Sequence, residues 1–127
     1  MEKKDLGKTS IGIEANLAAL LSYVAGWITG LIFFLIEKDN KFVRFHALQS
    51  IIVFGALGVV WIAIGMLSGV FAVIRLHFMI PLLMGINALL SLLGLVLWIV
   101  LMVKAYQGEL FKLPIVGDIA EKNSEKK

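Results

Sequence analysis

The chain has 127 residues, of which 60% are hydrophobic and 17% charged, and it carries a net charge of +3. Its mean hydropathy is +0.94. So much apolar surface exceeds what one small soluble core can hide, and the absence of cysteine excludes a disulfide framework, a thiolate zinc site and a cysteine nucleophile.

Residues 1–14 form a polar N-terminal tail in which Lys3, Lys4 and Lys8 balance Glu2, Asp5 and Glu14. An uncharged run over 15–36 predicts the first membrane span, about 33 Å long as a helix. It is too long for a secretory signal and lacks a small-residue cleavage pattern after it. A short polar hairpin, 37–44, sends the next helix back beside the first. The second span is expected at 45–67, with apolar character running on to Ile74, so the helix either overruns the bilayer or bends at Ser68-Gly69. Arg75 and His77 mark a return to the interface, and Pro81 suits the first turn of a helix.

The third span is expected at 81–103, ended by Lys104 and Tyr106 as interfacial anchors. Gly108 is a candidate helix terminator, and Pro114 rules out a long straight continuation. The polar C-terminal tail covers 108–127, with 121–127 read as a disordered end. The expected fold is therefore an all-α integral membrane protein, a three-helix bundle over 15–107. The alternative has four spans and splits 70–104 near 85–87. With three spans, the N-tail and the 68–80 connection share one side. The hairpin and the C-tail share the other, carry more lysine and arginine, and are expected in the cytoplasm.

Three patterns stand out on the helix faces. Gly55, Gly58, Gly65 and Gly69 fall on one stripe of the second span, and Gly26 and Gly30 repeat the device in the first. Glycine lets helix backbones approach closely, which serves either ordinary packing within the chain or a dimerisation or pore-lining face. Asn87, Ser91 and Gly94 line one face of the third span. His46, Gln49 and Ser50 make a polar patch roughly opposite the glycine stripe, which makes the second helix central. Arg44, Glu37, Lys104 and Glu109 are the residues expected to complete a site there. The plainer reading of the patch is a helix start at the head groups.

No catalytic motif is present: there is no phosphate loop, dinucleotide fingerprint or nucleophile elbow. Two histidines 31 positions apart do not form a metal site, so no metal, cofactor or catalytic residue is expected. The basic residues are scattered over the termini and one loop, which argues against nucleic acid as a partner.

Several segments carry a resemblance: LSYVAGWITG at 21–30, EKDNKFVRFHALQS at 37–50, KAYQGE at 104–109, Leu113-Pro114 and Gly117-Asp118. Over roughly 13–121 the chain resembles a family of small uncharacterised membrane proteins of bacteria and archaea. That family is grouped with the twenty-kilodalton component of the chloroplast inner-envelope import translocon (Tic-twenty-like), which is described with four spans. The resemblance implies a multi-helix protein of the prokaryotic cell membrane, with its motif residues near one membrane face, and it supplies no enzyme activity. The expected role is binding of other membrane proteins or formation of a homo-oligomer, tied to protein translocation. A small channel or carrier for an ion or small solute is the alternative.

Overall fold

The computed structural model describes residues 7–124, and among them it has five helices and no strand. These are α1 (Ala15–Val24), α2 (Trp27–Ile36), α3 (Lys41–Val73), α4 (Met79–Tyr106) and α5 (Val116–Ser124). Two of them, α3 and α4, are long and apolar enough to cross a membrane, with mean hydropathies of 2.4 and 2.6 over their most apolar windows. Only 11% and 6% of those windows are buried within the chain, so neither is the core helix of a soluble domain.

The continuous helix expected over 15–36 is instead two ten-residue helices. Gly26 breaks it, with φ +64 and ψ −133, a conformation that side chains other than glycine rarely adopt. Local side chains close the turn. The Ala25 N–H donates to the Thr29 hydroxyl (3.0 Å), which donates to the Ser22 carbonyl (3.1 Å). The chain then reverses, because the residues before α1 and those after α2 meet. The Ser10 N–H donates to the Glu37 carboxylate at 2.8 and 2.9 Å, and the Asn40 amide donates to the Lys8 carbonyl (3.2 Å). The N-terminal segment therefore lies with the 37–44 hairpin and not with the 68–80 connection. That corrects the expected side of residues 7–14; residues 1–6 lie outside the described part.

α3 starts with Asn40 as N-cap, its side-chain oxygen accepting from the Val43 N–H (3.1 Å). It then runs 33 residues without the bend considered at Ser68-Gly69. α2 packs antiparallel on its first half, where Gly30 lies against Ala47 and Ser50. After the turn at Arg75, α4 returns along α3: Gly94 faces Leu57, and the Asn87 amide donates to the Trp61 carbonyl (3.3 Å). α4 is continuous through 85–87, so the split that would create a fourth span does not occur there. Its lower half receives α1, with the Trp98 indole N–H donating to the Tyr23 carbonyl (2.7 Å) and the Asn16 amide to the Tyr106 carbonyl (3.0 Å).

α4 ends in a Schellman motif. Gly108 takes φ +79, its N–H donates to the Ala105 carbonyl (3.1 Å), and the Glu109 N–H donates to the Lys104 carbonyl (3.0 Å). The segment after it folds back over α3 and finishes in α5. Residues 121–124, expected to be disordered, form the last turn of that helix; 125–127 lie outside the described residues. The buried core, built on Ala15, Ala18, Ala19, Tyr23, Val43, Leu101 and Ala105, sits at the end shared by α1, α2, the chain ends and α5. Beyond it the α3–α4 pair stands alone.

Two glycine substitutions test this packing. In Gly30→Ala the new methyl meets the Ala47 carbonyl oxygen at 2.8 Å and the Ser50 Cβ at 3.0 Å, and backbone cannot yield as a side chain would. We expect a loss of about 1–3 kcal/mol in reversible unfolding in lipid or detergent. Gly58→Ala meets nothing within 4 Å and is expected to be neutral or stabilising by up to about 1 kcal/mol. Equal effects of the two would contradict the close approach of α2 to α3.

Candidate functional site

Three side chains carry the polar cluster of α3. His46, Gln49 and Ser50 are each 0% exposed, and Tyr23 of α1 is buried beside them. Such groups are costly in an apolar surrounding unless each finds a partner. They do. Gln49 donates to the Tyr23 hydroxyl (3.1 Å), and the Tyr23 hydroxyl lies 2.7 Å from His46 Nδ1. His46 Nε2 lies 2.9 Å from the Glu109 carbonyl, which can only accept. The Nε2–H tautomer is thus the assignment that gives each donor an acceptor along Gln49, Tyr23, His46 and Glu109. Phe42, Phe45 and Tyr23 hold the imidazole edge-on, with ring centroids 4.6, 5.0 and 5.5 Å away.

Gln49 is used twice more. Its amide donates to the Phe111 carbonyl (2.9 Å), and its oxygen accepts from the Leu113 N–H (3.1 Å). Ser50 donates to the Gly26 carbonyl (2.8 Å), closing the α1–α2 turn against α3.

A second group surrounds Arg44 and Glu37. The Arg44 guanidinium donates to the carbonyls of Glu37 (2.8 Å), Phe34 (3.1 Å) and Ser124 (3.1 Å), and stacks 4.2 Å over the Phe34 ring. It pins the end of α2 and the end of α5 to the start of α3. Burial alone would push the Glu37 pKa up. Hydrogen bonds from the Ser10 N–H and hydroxyl and from the Asp39 and Asn40 N–H groups outweigh it and hold the carboxyl below its ordinary range.

The residues singled out from the sequence fall into three places. His46, Gln49 and Ser50 line one face of α3 with their partners, and Arg44 lies on the other side of the helix, toward the ends of α2 and α5. Glu37 lies in the hairpin and meets Arg44 through its main chain, not its carboxylate. Lys104 and Glu109 pair with each other at 3.1 Å at the rim, and it is the Glu109 carbonyl that reaches His46. The plainer reading of the patch, a helix start facing head groups, does not describe His46, which solvent does not reach.

The glycines divide as well. Gly26 and Gly30 make contacts within the chain, and Gly55 only reaches Trp27 at 4.0 Å. A Cβ at Gly58, Gly65 or Gly69 would meet nothing within 4 Å, so no close approach within the chain requires glycine there, and Gly58 edges the groove between α3 and α4.

Sequence reasoning did not pick out Tyr23, Trp98, Ser10 or Asn40 as parts of the cluster. Nor did it see the backbone of 109–113 as a partner, because a carbonyl leaves no mark in a sequence. Gly117 shows one. A Cβ there would collide with Lys112, so the glycine lets α5 turn back on the 109–113 segment. At the surface of that turn Lys112 bridges Glu121 (2.8 Å) and Asp118 (3.7 Å), and the hydrogen bond to Glu121 leads the upward shift of its pKa.

Fold and site together define, over the described residues, a small helical protein with two span-like helices and its fully buried polar residues gathered at one end. The chain belongs to the magnetosome magnetite crystal formation protein family, whose model matches residues 8–120. It is similar to a UPF0132 membrane protein of Methanocaldococcus jannaschii, 47% identical over 120 residues, covering 94% of this chain and 97% of the relative. A second one from that organism is 38% identical over 114 residues (89% and 72%). One from Archaeoglobus fulgidus is 40% identical over 109 residues (86% and 94%). No solved structure matches. The expected membership of a prokaryotic membrane-protein family thus stands, while kinship to the plastid translocon rests on the sequence resemblance alone.

Glu37 gives the site a measurable pH dependence. Its folded pKa lies below the unfolded value, so its contribution is present above the ordinary carboxylate value and lost as pH falls through the folded one. Thermal stability of the wild type should therefore fall from about pH 4.5 downward, whereas Glu37→Gln should start lower at pH 7 and lose less over that range. Parallel curves for the two proteins would contradict the role given to the carboxylate.

Proposed function

We propose that this is a non-enzymatic membrane protein that self-associates in the plane of the bilayer, with the 37–44 hairpin and both described ends in the cytoplasm. On this reading α3 and α4 cross the membrane, and the α1–α2 pair is a re-entrant hairpin inserted from the cytoplasmic side. Each arm of that hairpin is about 15 Å long, half of a hydrocarbon core of about 30 Å. α3 and α4, at about 50 and 42 Å, exceed that core and reach both faces by tilting. Charge supports the orientation. Among the described residues Lys8, Lys38, Lys41, Arg44, Lys104, Lys112 and Lys122 lie at the polar end, against Arg75 at the other.

The observation that carries self-association is the bare glycine face of α3. A Cβ built at Gly58, Gly65 or Gly69 would meet nothing of its own chain within 4 Å. Trp61, Met66 and Val73 beside them are also exposed. Between helices in lipid, close backbone approach supplies the van der Waals contact that a hydrophobic drive supplies in water. Other membrane proteins, including the translocation partners that the resemblance suggests, are the alternative occupants of this face. The role in the family's name, magnetite crystal formation, is read for this chain as membrane organisation. Glu109 is engaged with Lys104, and Asp118 and Glu121 with Lys112.

A small channel or carrier is the second reading. Against it, the fully buried polar residues, from Ser22 to Ser124, lie at the end that holds the core, and between α3 and α4 beyond it the one buried polar atom without a partner among the described residues is Asn87 Oδ1. The test joins association to flux. Wild-type protein in lipid nanodiscs or liposomes should cross-link as oligomers, and Gly65→Leu should reduce that fraction by about tenfold while leaving helix content unchanged. A monomeric wild type, or solute flux that survives in monomers, would overturn the proposal.

A further inference from the structure

The chain after α4 descends along α3 and climbs back. Its bonds to α3 run from the Glu109 carbonyl at His46 to the Leu113 N–H at Gln49, and then to the Ser124 carbonyl at Arg44. Leu113, Pro114 and Ile115 are therefore its deepest point, level with Gln49 and about 12 Å along α3 from its first residue, Lys41.

This tip closes its own backbone. The Leu113 carbonyl accepts from the Gly117 N–H (2.8 Å), the Pro114 carbonyl from the Val116 N–H (2.7 Å) and the Ile115 carbonyl from the Ile119 N–H (3.2 Å). Pro114 has no N–H to satisfy. The bond from Val116 back to Pro114 is that of a γ-turn with Ile115 at its centre, and φ +67 there is a strained conformation for a branched side chain. Yet Ile115 is 76% exposed. A loop in water needs neither feature, because glycine would turn the chain without strain and water would satisfy open carbonyls. α5 extends the same surface. It buries Gly117, Ala120 and Ser124 and turns Ile119 and Lys122 outward, while its acidic groups, Asp118 and Glu121, are held by Lys112.

We propose that Ile115, flanked by Pro114 and Ile119, is inserted into the boundary between head groups and lipid chains of the leaflet on the hairpin side. The C-terminal segment is then an interfacial anchor and not a tail in the cytoplasm. This rests on the reading that α3 and α4 cross the bilayer. Lipid is the occupant because the exposed tip is continuous with a span. From Ser50 to Ile74 α3 carries no charged residue, so its lipid-facing surface begins at the level that the tip reaches. Among the described residues the Ile115 N–H has no partner, which suits a depth that water and head groups still reach and not the middle of the core. Lys122, on the outward face with Ile119, is placed to meet the head groups from above.

The absence of cysteine allows a single nitroxide at Ile115→Cys or Ile119→Cys in protein reconstituted into liposomes. Val59→Cys, exposed in the middle of α3, and Lys38→Cys, exposed in the hairpin, serve as references. Electron paramagnetic resonance then compares collision with oxygen, concentrated in lipid, and with a nickel chelate, confined to water. Labels at 115 and 119 should meet oxygen more than nickel, as at 59, and the order should reverse at 38. Ile115→Asp should shift the 119 label to the nickel side at unchanged helix content, since a carboxylate is expelled from that boundary. Nickel above oxygen at 115 and 119, with oxygen above nickel at 59, would overturn the proposal and leave the two spans standing. Nickel above oxygen at 59 would overturn the spans, and the proposal with them. Exclusion of both reagents at 115, with broadening between labels, would give the face to a second copy and overturn lipid as its occupant. Should Ile115→Cys fail to fold, the 119 label decides by the same reading.

Discussion

An apolar surrounding offers no hydrogen bonds, so every helix end placed in it must be closed by protein. The break at Gly26 creates such ends in the middle of a hydrophobic run, and the rest of the structure answers them. The Tyr23 carbonyl at the end of α1 takes the Trp98 indole N–H, and the Gly26 carbonyl takes the Ser50 hydroxyl. The Phe34 and Glu37 carbonyls at the end of α2 take Arg44, and the Tyr106 carbonyl at the end of α4 takes Asn16. The polar residues of the bundle are therefore chiefly caps for their neighbours. That is why the buried ones gather at the end of the molecule that holds the hairpin.

This constraint also divides the molecule. Below the Gly26 turn, α1, α2, α5 and the 109–113 segment surround α3 and α4, and the side chains there are buried and paired. Above it the two long helices have only each other, and Gly65 and Gly69 of α3 face outward. A chain built this way has one end fixed by directional bonds and one end left to whatever surrounds it. The proposed self-association uses the bare end.

The sequence disclosed the composition, the α3 and α4 helices and the residues His46, Gln49 and Arg44, because apolar run length and isolated polar side chains are written in side-chain identity. It did not disclose the reversal at Gly26. Hydropathy sees the 15–36 run as continuous, and one glycine with φ +64 looks the same in a row of letters as one packed in a helix. The roles of Glu109 and of the 109–113 segment were hidden for a related reason: their contribution is made by main-chain atoms. The Ser10–Glu37 contact was equally invisible, since it exists only once the hairpin has folded back. What the sequence showed as a loop with charges is a joint between both described ends and α3.

The central claim is that α1 and α2 enter and leave on one side. The chain contains no cysteine, so single cysteines at Lys8 and Lys38, with a third at Arg75, report topology without background. Labelling of sealed vesicles by an impermeant maleimide is the direct measurement. The re-entrant account predicts that Lys8→Cys and Lys38→Cys react from the same side and Arg75→Cys from the other. Labelling of Lys8→Cys and Lys38→Cys from opposite sides would mean that 15–36 crosses the membrane as a single helix, and would contradict the account.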